Sequence, residues 1–342
     1  MKLRSADFDY TLPVNLIAQT PLAKRSSSKL MVVHRLSGLI EHRMFEDMLN
    51  YLESGDCLVV NETKVRPARL RGHKETGAAV ELLLLTERGS DTWETLSRPA
   101  RRLPKGTRII FDKNLAARVI EVGKAGKRVV KFFSDRPVPE VLEEVGLIAL
   151  PPYINTELKQ PQRYQTVFAK TPGSVAAPTA GLHFSSAFMD RVDDAGISLA
   201  RITLDIGLDT FRPIQAEQVD AHKMHSERYE ISVDAAAKVN GARQTGGRIV
   251  AIGTTTVRVL ETASHQDGRV RAASGHTDLF IRPGYSFKAV DIMLTNFHLP
   301  KSTLLIMVSA FAGRDLVMRA YEKAIRSGYR FYSFGDAMLV VD

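Results

Sequence analysis

The chain has 342 residues, 44% of them hydrophobic and 25% charged, which suits a globular protein of about two domains. One cysteine, Cys57, excludes an internal disulfide and a cysteine-ligated metal site, and no apolar run approaches the length of a membrane span. The formal charge of +9 points to a polyanionic partner such as nucleic acid, a basic surface kept for solubility being the plainer alternative. Met1 to Asp7 lacks the apolar core of a signal peptide, and with the lone cysteine this leads us to expect a cytoplasmic protein.

Leu12 to Ser28 reads as a loop and Leu30 to His34 as a strand. Phe45 to Leu52 has the apolar spacing of a helix, stopped near Gly55, and Cys57 to Val60 is a continuous apolar run expected to form a buried strand. The texture then changes. Ala78–Leu85, Thr92–Leu96, Thr107–Phe111, Ala116–Val122 and Arg128–Phe133 are short β-rich runs split by turns, the pattern of a small antiparallel barrel. Pro137 to Val145 returns to helix. Beyond it strands and helices alternate: strand Leu199–Leu204, helix Asp234–Gln244, strand Arg248–Ile252, helix Val257–Ala263, helices Ser302–Phe311 and Asp315–Ile325, and a final strand Tyr329–Phe334. The prediction is a discontinuous α/β domain, residues 1–60 and 150–342, layered α/β/α around a mostly parallel sheet, with an inserted β-barrel at 61–149.

The insert concentrates charge. Asn61 to Leu150 holds 18 Lys and Arg against 12 Asp and Glu, six of the nine net charges. Arg66, Arg69, Arg71 and Lys74 form one cluster; Arg98, Arg101, Arg102, Lys105 and Arg108 a second; Lys124, Lys127, Arg128 and Lys131 a third. Each cluster alone reads as solvated strand and turn surface. Together they suggest a phosphate-binding face with little sequence specificity. Aromatic residues are too few in the insert for a base-stacking platform.

Polar turns stand at a series of strand or helix ends. Thr171 to Phe184 is rich in proline, glycine and small residues and ends in His183, before an N-cap signal at Ser185 and Ser186. There Gly173 and Gly181 offer φ > 0 or close backbone approach, an ordinary turn with a half-buried histidine being the alternative. Asp205 follows a strand, where a carboxylate meets a ligand hydroxyl. His222 and His225, with Glu227, suggest a carboxylate tuning a histidine rather than a metal site, since the segment leads into a strand. Gly253 to Thr256 opens a helix, with Arg258 one turn in, as an anion cradle or simple capping. Asn296 and His298 precede Ser302, with Lys301 a cation at the same turn, and Gly335 with Asp336 closes the set. One shared crevice would collect them; unrelated turns are the alternative.

Several long motifs resemble one family. They are Leu150–Ile154, Arg163–Phe168, Val175–Phe184, Met224–Glu227, Val250–Glu261, Thr277–Tyr285, Leu294–Ser309 and Tyr329–Leu339. Their order and spacing are similar to the S-adenosylmethionine:tRNA ribosyltransferase-isomerase family of queuosine biosynthesis, over essentially the whole chain. The sequence departs from that pattern at Asp209, where the family usually has glycine, and at Gln162, where an acidic residue is common. The resemblance implies transfer and isomerisation of the ribosyl part of S-adenosylmethionine onto the 7-aminomethyl-7-deazaguanine base of tRNA. Epoxyqueuosine-tRNA forms, and adenine and methionine leave. It also implies an α/β domain carrying an inserted barrel, no metal, no cofactor beyond S-adenosylmethionine as co-substrate, and the tRNA anticodon arm as partner; a monomer is expected.

Residue chemistry then suggests roles within that reaction. His183 and His225 would share acid/base work, with Glu227 orienting one imidazole. Asp205 and Asn296 would hold sugar or adenine groups, with His298 a further hydrogen-bonding side chain, and Thr179 and Gly181 would form a close-approach loop. Arg258 with Thr254 and Thr255 would hold the methionine carboxylate. Arg66, Arg69, Arg98, Arg101, Arg102 and Lys105 would meet tRNA. A non-catalytic RNA-binding protein and an S-adenosylmethionine-dependent RNA methyltransferase are the alternatives.

Overall fold

The computed structural model describes residues 3–89, 91–207, 210 and 213–342. Asp209 therefore lies outside the described residues. The chain divides into two compact units, Met1–Lys64 with Pro151–Asp342, and Val65–Leu150.

The first unit is built on nine strands. β1 (Lys29–His34), β2 (Ile40–Met44) and β3 (Cys57–Asn61) precede the insertion. After it come β13 (Ser198–Leu204), β14 (Glu227–Ile231), β15 (Ile249–Ile252), β16 (Ala273–Thr277), β17 (Ile292–Asn296) and β18 (Ala337–Val341). Their order in the sheet is β16-β14-β13-β3-β15-β17-β18-β1-β2. The middle four, β13, β3, β15 and β17, run parallel, as the alternating texture predicts. β14 and β18 flank them antiparallel. A separate ribbon pairs β4 (Thr63–Val65) with β12 (Thr171–Ser174).

Why the middle strands read as unbroken apolar runs is visible in their two faces. Cys57, Val59, Ala251 and Met293 point into one core; Leu58, Val60, Val250 and Leu294 point into the other. The first core is closed by α3 (Val233–Gln244), α4 (Thr254–Ala263), α5 (Thr303–Ala312) and α6 (Arg314–Arg326). The second is closed by α2 (Ser186–Asp194), by Phe45 and Met48 of the segment Phe45–Tyr51, and by Phe184. Burial on both faces removes the period-2 alternation. Ser185, Ser232 and Ser302 cap α2, α3 and α5 by accepting the N–H of Phe188, Ala235 and Leu305. Each such cap contributes about 1 kcal/mol. Gly253 and Gly313, at φ 89° and 87°, start α4 and α6 in a conformation that suits glycine.

Two expected elements differ. Phe45–Tyr51 is a 3-10 helix rather than an α-helix. The last strand is β18, not Tyr329–Phe334. Tyr329, Phe331 and Tyr332 are buried, but Tyr332 sits at φ 71°, which breaks an extended run. Asp336 accepts the N–H of Lys29 and of Arg330, and so turns the chain into β18.

The second unit is a closed antiparallel barrel. Its strands are β5 (Pro67–Lys74), β6 (Ala79–Gly89), β7 (Thr92–Arg98), β8 (Arg108–Ile110), β9 (Ala116–Val122) and β10 (Lys127–Phe133). They follow the order β5-β6-β7-β10-β9-β8, closed by β8 against β5. α1 (Val138–Val145) packs on β5, and β11 (Leu147–Ile148) pairs with it. Sequence reading missed β5 because its inward residues are only Ala68 and Leu70, between the outward Arg69 and Arg71. Among the described residues, no helix is long and apolar enough to cross a membrane.

Candidate functional site

The four parallel strands end on one side of the sheet, where Asn61 and Asn296 close their strands and Asp205 and Gly253 come next in the chain. Ligands bind outside the carboxyl ends of such strands. A small cavity lies there, walled by Pro178, Thr179, Thr210, Thr254, Thr255 and His298, with Asn296 between. A second small cavity shares Thr179, Thr210, Asn296 and His298 and adds Tyr153, Tyr332 and Ser333. The shared walls make the two one crevice.

His183 belongs to a buried 3-10 turn, Thr179–His183, not an open loop. Its ring stacks on Phe45 at 5.2 Å, and Nδ1 is 2.8 Å from the Ser28 hydroxyl. Nε2 is buried and has no hydrogen-bond partner; neither has Asn296 Oδ1. Burial lowers the His183 pKa to about 4, opposed by the Asn296 side chain and reinforced by the charges of Arg25 and Arg330. Asn296 is itself held by donating to the Tyr332 carbonyl at 2.9 Å. At neutral pH His183 is therefore an uncharged hydrogen-bonding group and not a stored proton. The Asn296 side chain is the hydrogen-bonding neighbour that opposes the effect of burial on His183, so these two buried atoms can serve each other or a ligand placed between them.

His225 and Glu227 meet at the start of β14. His225 Nε2 is 3.0 Å from Glu227 Oε1 and 3.2 Å from the Thr210 hydroxyl. Glu227 also accepts from Thr210 at 3.0 Å, from the Gly207 N–H at 3.1 Å, and from Arg258. Burial pushes its carboxyl up, but His225, Arg258 and Gly207 outweigh that and hold it below the usual range. Glu227 and Arg258 side chains are each 2% exposed, while His225 is 22% exposed. A buried carboxylate thus fixes one ring nitrogen of a histidine that reaches solvent, beside a threonine that lines the crevice.

Arg258 does not face an incoming carboxylate. Its guanidinium is used by Glu227 and by the carbonyls of Thr277 at 3.1 Å and Leu279 at 3.2 Å. The place left for an anion is the start of α4, where Thr254 and Thr255 line the cavity. His298 is likewise spoken for: Nε2 lies 2.6 Å from Thr295, and burial lowers its pKa to about 3. Asp205 accepts from Thr63 at 3.2 Å and faces Arg228 at 3.5 Å, turned toward the ribbon rather than the cavity. A Cβ on Gly173 would stand 2.5 Å from its carboxylate, and one on Gly181 2.6 Å from Phe168. Both glycines serve protein packing, not ligand approach. Lys301 pairs with Asp9. Among the described residues, no group of three or more His, Cys, Asp or Glu side chains stands together as a metal site.

Sequence reasoning missed Ser28, Thr210 as a bridge, and Thr295. Hydroxyls carry no spacing signal, and these are recognisable only by the histidines they touch.

In the barrel, Arg98, Arg101, Arg102 and Lys105 are exposed and form no ion pair among the described residues. Arg66 differs: it stacks over Trp93 at 4.4 Å and donates to the Leu85 carbonyl. Arg69 is half-buried, with Glu81 3.8 Å away. Arg128 is buried and donates to the carbonyls of Leu103, Lys127 and Ala100, so it leaves the third cluster and instead pins the Ala100–Arg102 turn.

The chain matches the family described as Queuosine biosynthesis protein over residues 5–340. It is 54% identical over 341 residues to the S-adenosylmethionine:tRNA ribosyltransferase-isomerase of Symbiobacterium thermophilum, covering 99% of this chain and all of that one. The protein of the same name from Moorella thermoacetica is 53% identical over 342 residues, covering 99% of this chain and all of its own. The crystal structure of the S-adenosylmethionine tRNA ribosyltransferase of Thermotoga maritima is similar at TM-score 0.57 and 38% identity, covering 98% of this chain and 100% of that one.

Proposed function

The chain belongs to the queuosine biosynthesis protein family, and from that we propose how its crevice carries out the family's reaction. The activity is that of an S-adenosylmethionine:tRNA ribosyltransferase-isomerase. The ribosyl part of the sulfonium donor passes to the aminomethyl group of a deazaguanine in tRNA, with rearrangement of the sugar and loss of adenine and methionine. Such tRNA is met in the cytoplasm.

Three demands follow from the chemistry. The carbon beside the sulfonium must lose a proton, adenine must leave, and the attacking amine must be uncharged. His225, oriented by the ionised Glu227, is the group we assign to proton transfer; its Nδ1 is the working nitrogen, since Nε2 faces the carboxylate. His183 and Asn296 would hold a donor hydroxyl or adenine nitrogen between Nε2 and Oδ1, in the neutral state that burial enforces. Thr254, Thr255 and the free N–H groups opening α4 would receive the methionine carboxylate. The observation that supports this reading is the His225–Glu227 pair held against Thr210, which lines the crevice together with Asn296.

For tRNA we propose the exposed side chains Arg98, Arg101, Arg102 and Lys105. Charge reversal of Arg101 and Arg102 to glutamate should weaken tRNA binding about tenfold or more and flatten its log–log salt dependence by roughly two, the yield of two lost phosphate contacts. S-adenosylmethionine affinity should stay that of the parent. Equal tRNA affinity in the double variant would remove this face from RNA binding; failure of the parent protein to bind S-adenosylmethionine would remove the crevice as its site.

A further inference from the structure

A third small cavity adjoins the crevice: Ser333 lines both, and His183 forms part of its wall. The described functions leave it unused. Its chemistry is cationic. Lys24, Arg25 and Arg163 line it, and Arg330 stands close enough for its charge to act on His183. None of the three arginines forms an ion pair with a carboxylate side chain among the described residues. Their partners are main-chain carbonyls instead. Arg25 donates to Leu182 at 3.1 Å and Gln165 at 2.8 Å, Arg163 to Leu22 at 2.7 Å and Ala23 at 3.1 Å, and Arg330 to Thr20.

These bonds do not use up the donors. Arg163 Nε and one terminal nitrogen of Arg330 are buried without any partner. The nearby carboxylate, Asp336, is committed to the N–H groups of Lys29 and Arg330. Burial lowers the pKa of Arg25, and the charge of Arg163 lowers it further; burial lowers that of Arg330, against Asp336. Cations gathered without counter-charge cost stability, and unsatisfied guanidinium N–H groups add to the cost. Arginine forks are also the natural receptors for planar or tetrahedral oxyanions.

We infer that the cavity walled by Lys24, Arg25 and Arg163 beside His183 is an oxyanion subsite, filled in the working complex by an anionic group of a substrate. The inference rests on the ribosyl-transfer reading for its candidate ligands. Those are a phosphodiester of the tRNA next to the reacting base, or the carboxylate of the sulfonium donor, which would then sit here and not at the start of α4. Both present oxygens suited to the Lys24, Arg25 and Arg163 side chains that line the cavity. The competing role is structural: the arginines would only tie residues 20–23 to the segment around 162–165.

The experiment compares the parent protein with Lys24→Gln and Arg163→Gln. The affinities for unmodified tRNA transcript and for S-adenosylmethionine are measured separately, with thermal unfolding as a check on the fold. On the parent protein, inorganic phosphate is titrated as competitor against chloride of equal ionic strength. The subsite predicts that one of the two affinities falls about tenfold in Arg163→Gln and by a smaller factor in Lys24→Gln, with phosphate competing against that same substrate. Loss on the tRNA arm identifies a phosphodiester, and loss on the donor arm a carboxylate. Affinities within twofold of the parent on both arms, with no phosphate effect beyond chloride, overturn the inference. If Arg163→Gln does not fold, the exposed Lys24 and the phosphate titration still decide. A parent protein that binds both substrates but releases no adenine contradicts the ribosyl-transfer reading and leaves the subsite result standing.

Discussion

Glu227→Ala is expected to destabilise the protein by roughly 3–5 kcal/mol, the usual cost of removing one partner from a buried ion pair. The reason is what remains. Arg258 is buried, and its other donors already serve Thr277 and Leu279, so the charge that faced Glu227 would have no counter-ion and no water. Thr210 and the Gly207 N–H would lose an acceptor as well. Glu227→Gln keeps the shape and should cost less. The companion variant Arg258→Met should lessen the loss when combined with Glu227→Gln, because the unpaired charge is then gone. Chemical denaturation of the four proteins measures the coupling. Additive losses would mean that the pair is not the unit described.

His225→Ala is expected to lower kcat by about 10²–10⁴, the range for loss of a positioned acid or base. The side chain is partly exposed and contributes little to the core, so the fold and the affinities for both substrates should change little. That split separates it from His183. There substitution removes a buried ring stacked on Phe45 and bonded to Ser28, and stability should fall along with donor binding. Single-turnover rates with saturating donor and tRNA make the comparison. A His225→Ala protein with near-parental kcat would move proton transfer elsewhere.

Much of this was legible in the chain. Unbroken apolar runs such as Cys57–Val60 and Arg248–Ile252 identify central strands, because a sheet covered on both faces leaves no alternation to read. The barrel strands showed through their turns. β5 did not, because outward arginines hide its two inward residues. Tyr329–Phe334 misled because its aromatics are core residues on a segment bent by Tyr332, whose positive φ has no sequence signal outside glycine or asparagine.

The site was legible in residue type and less so in role. His183, His225, Glu227 and Asn296 could be named because they stand in polar turns at element ends. Burial and partner choice could not. Arg258 reads as a free fork until Glu227 is seen against it, and Gly181 reads as a ligand glycine until Phe168 is found at its α-carbon. Arg25, Arg163 and Arg330 lie far apart in sequence, and only the fold shows that Arg25 and Arg163 share a cavity and that Arg330 acts on the same histidine.

One measurement bears most directly on the chemistry assigned to this crevice. The protein is incubated with S-adenosylmethionine and tRNA carrying the 7-aminomethyl-7-deazaguanine base, and the small-molecule products are separated. Adenine and methionine should appear together, one of each per modified tRNA. Release of S-adenosylhomocysteine, or tRNA binding with no adenine formed, would contradict it.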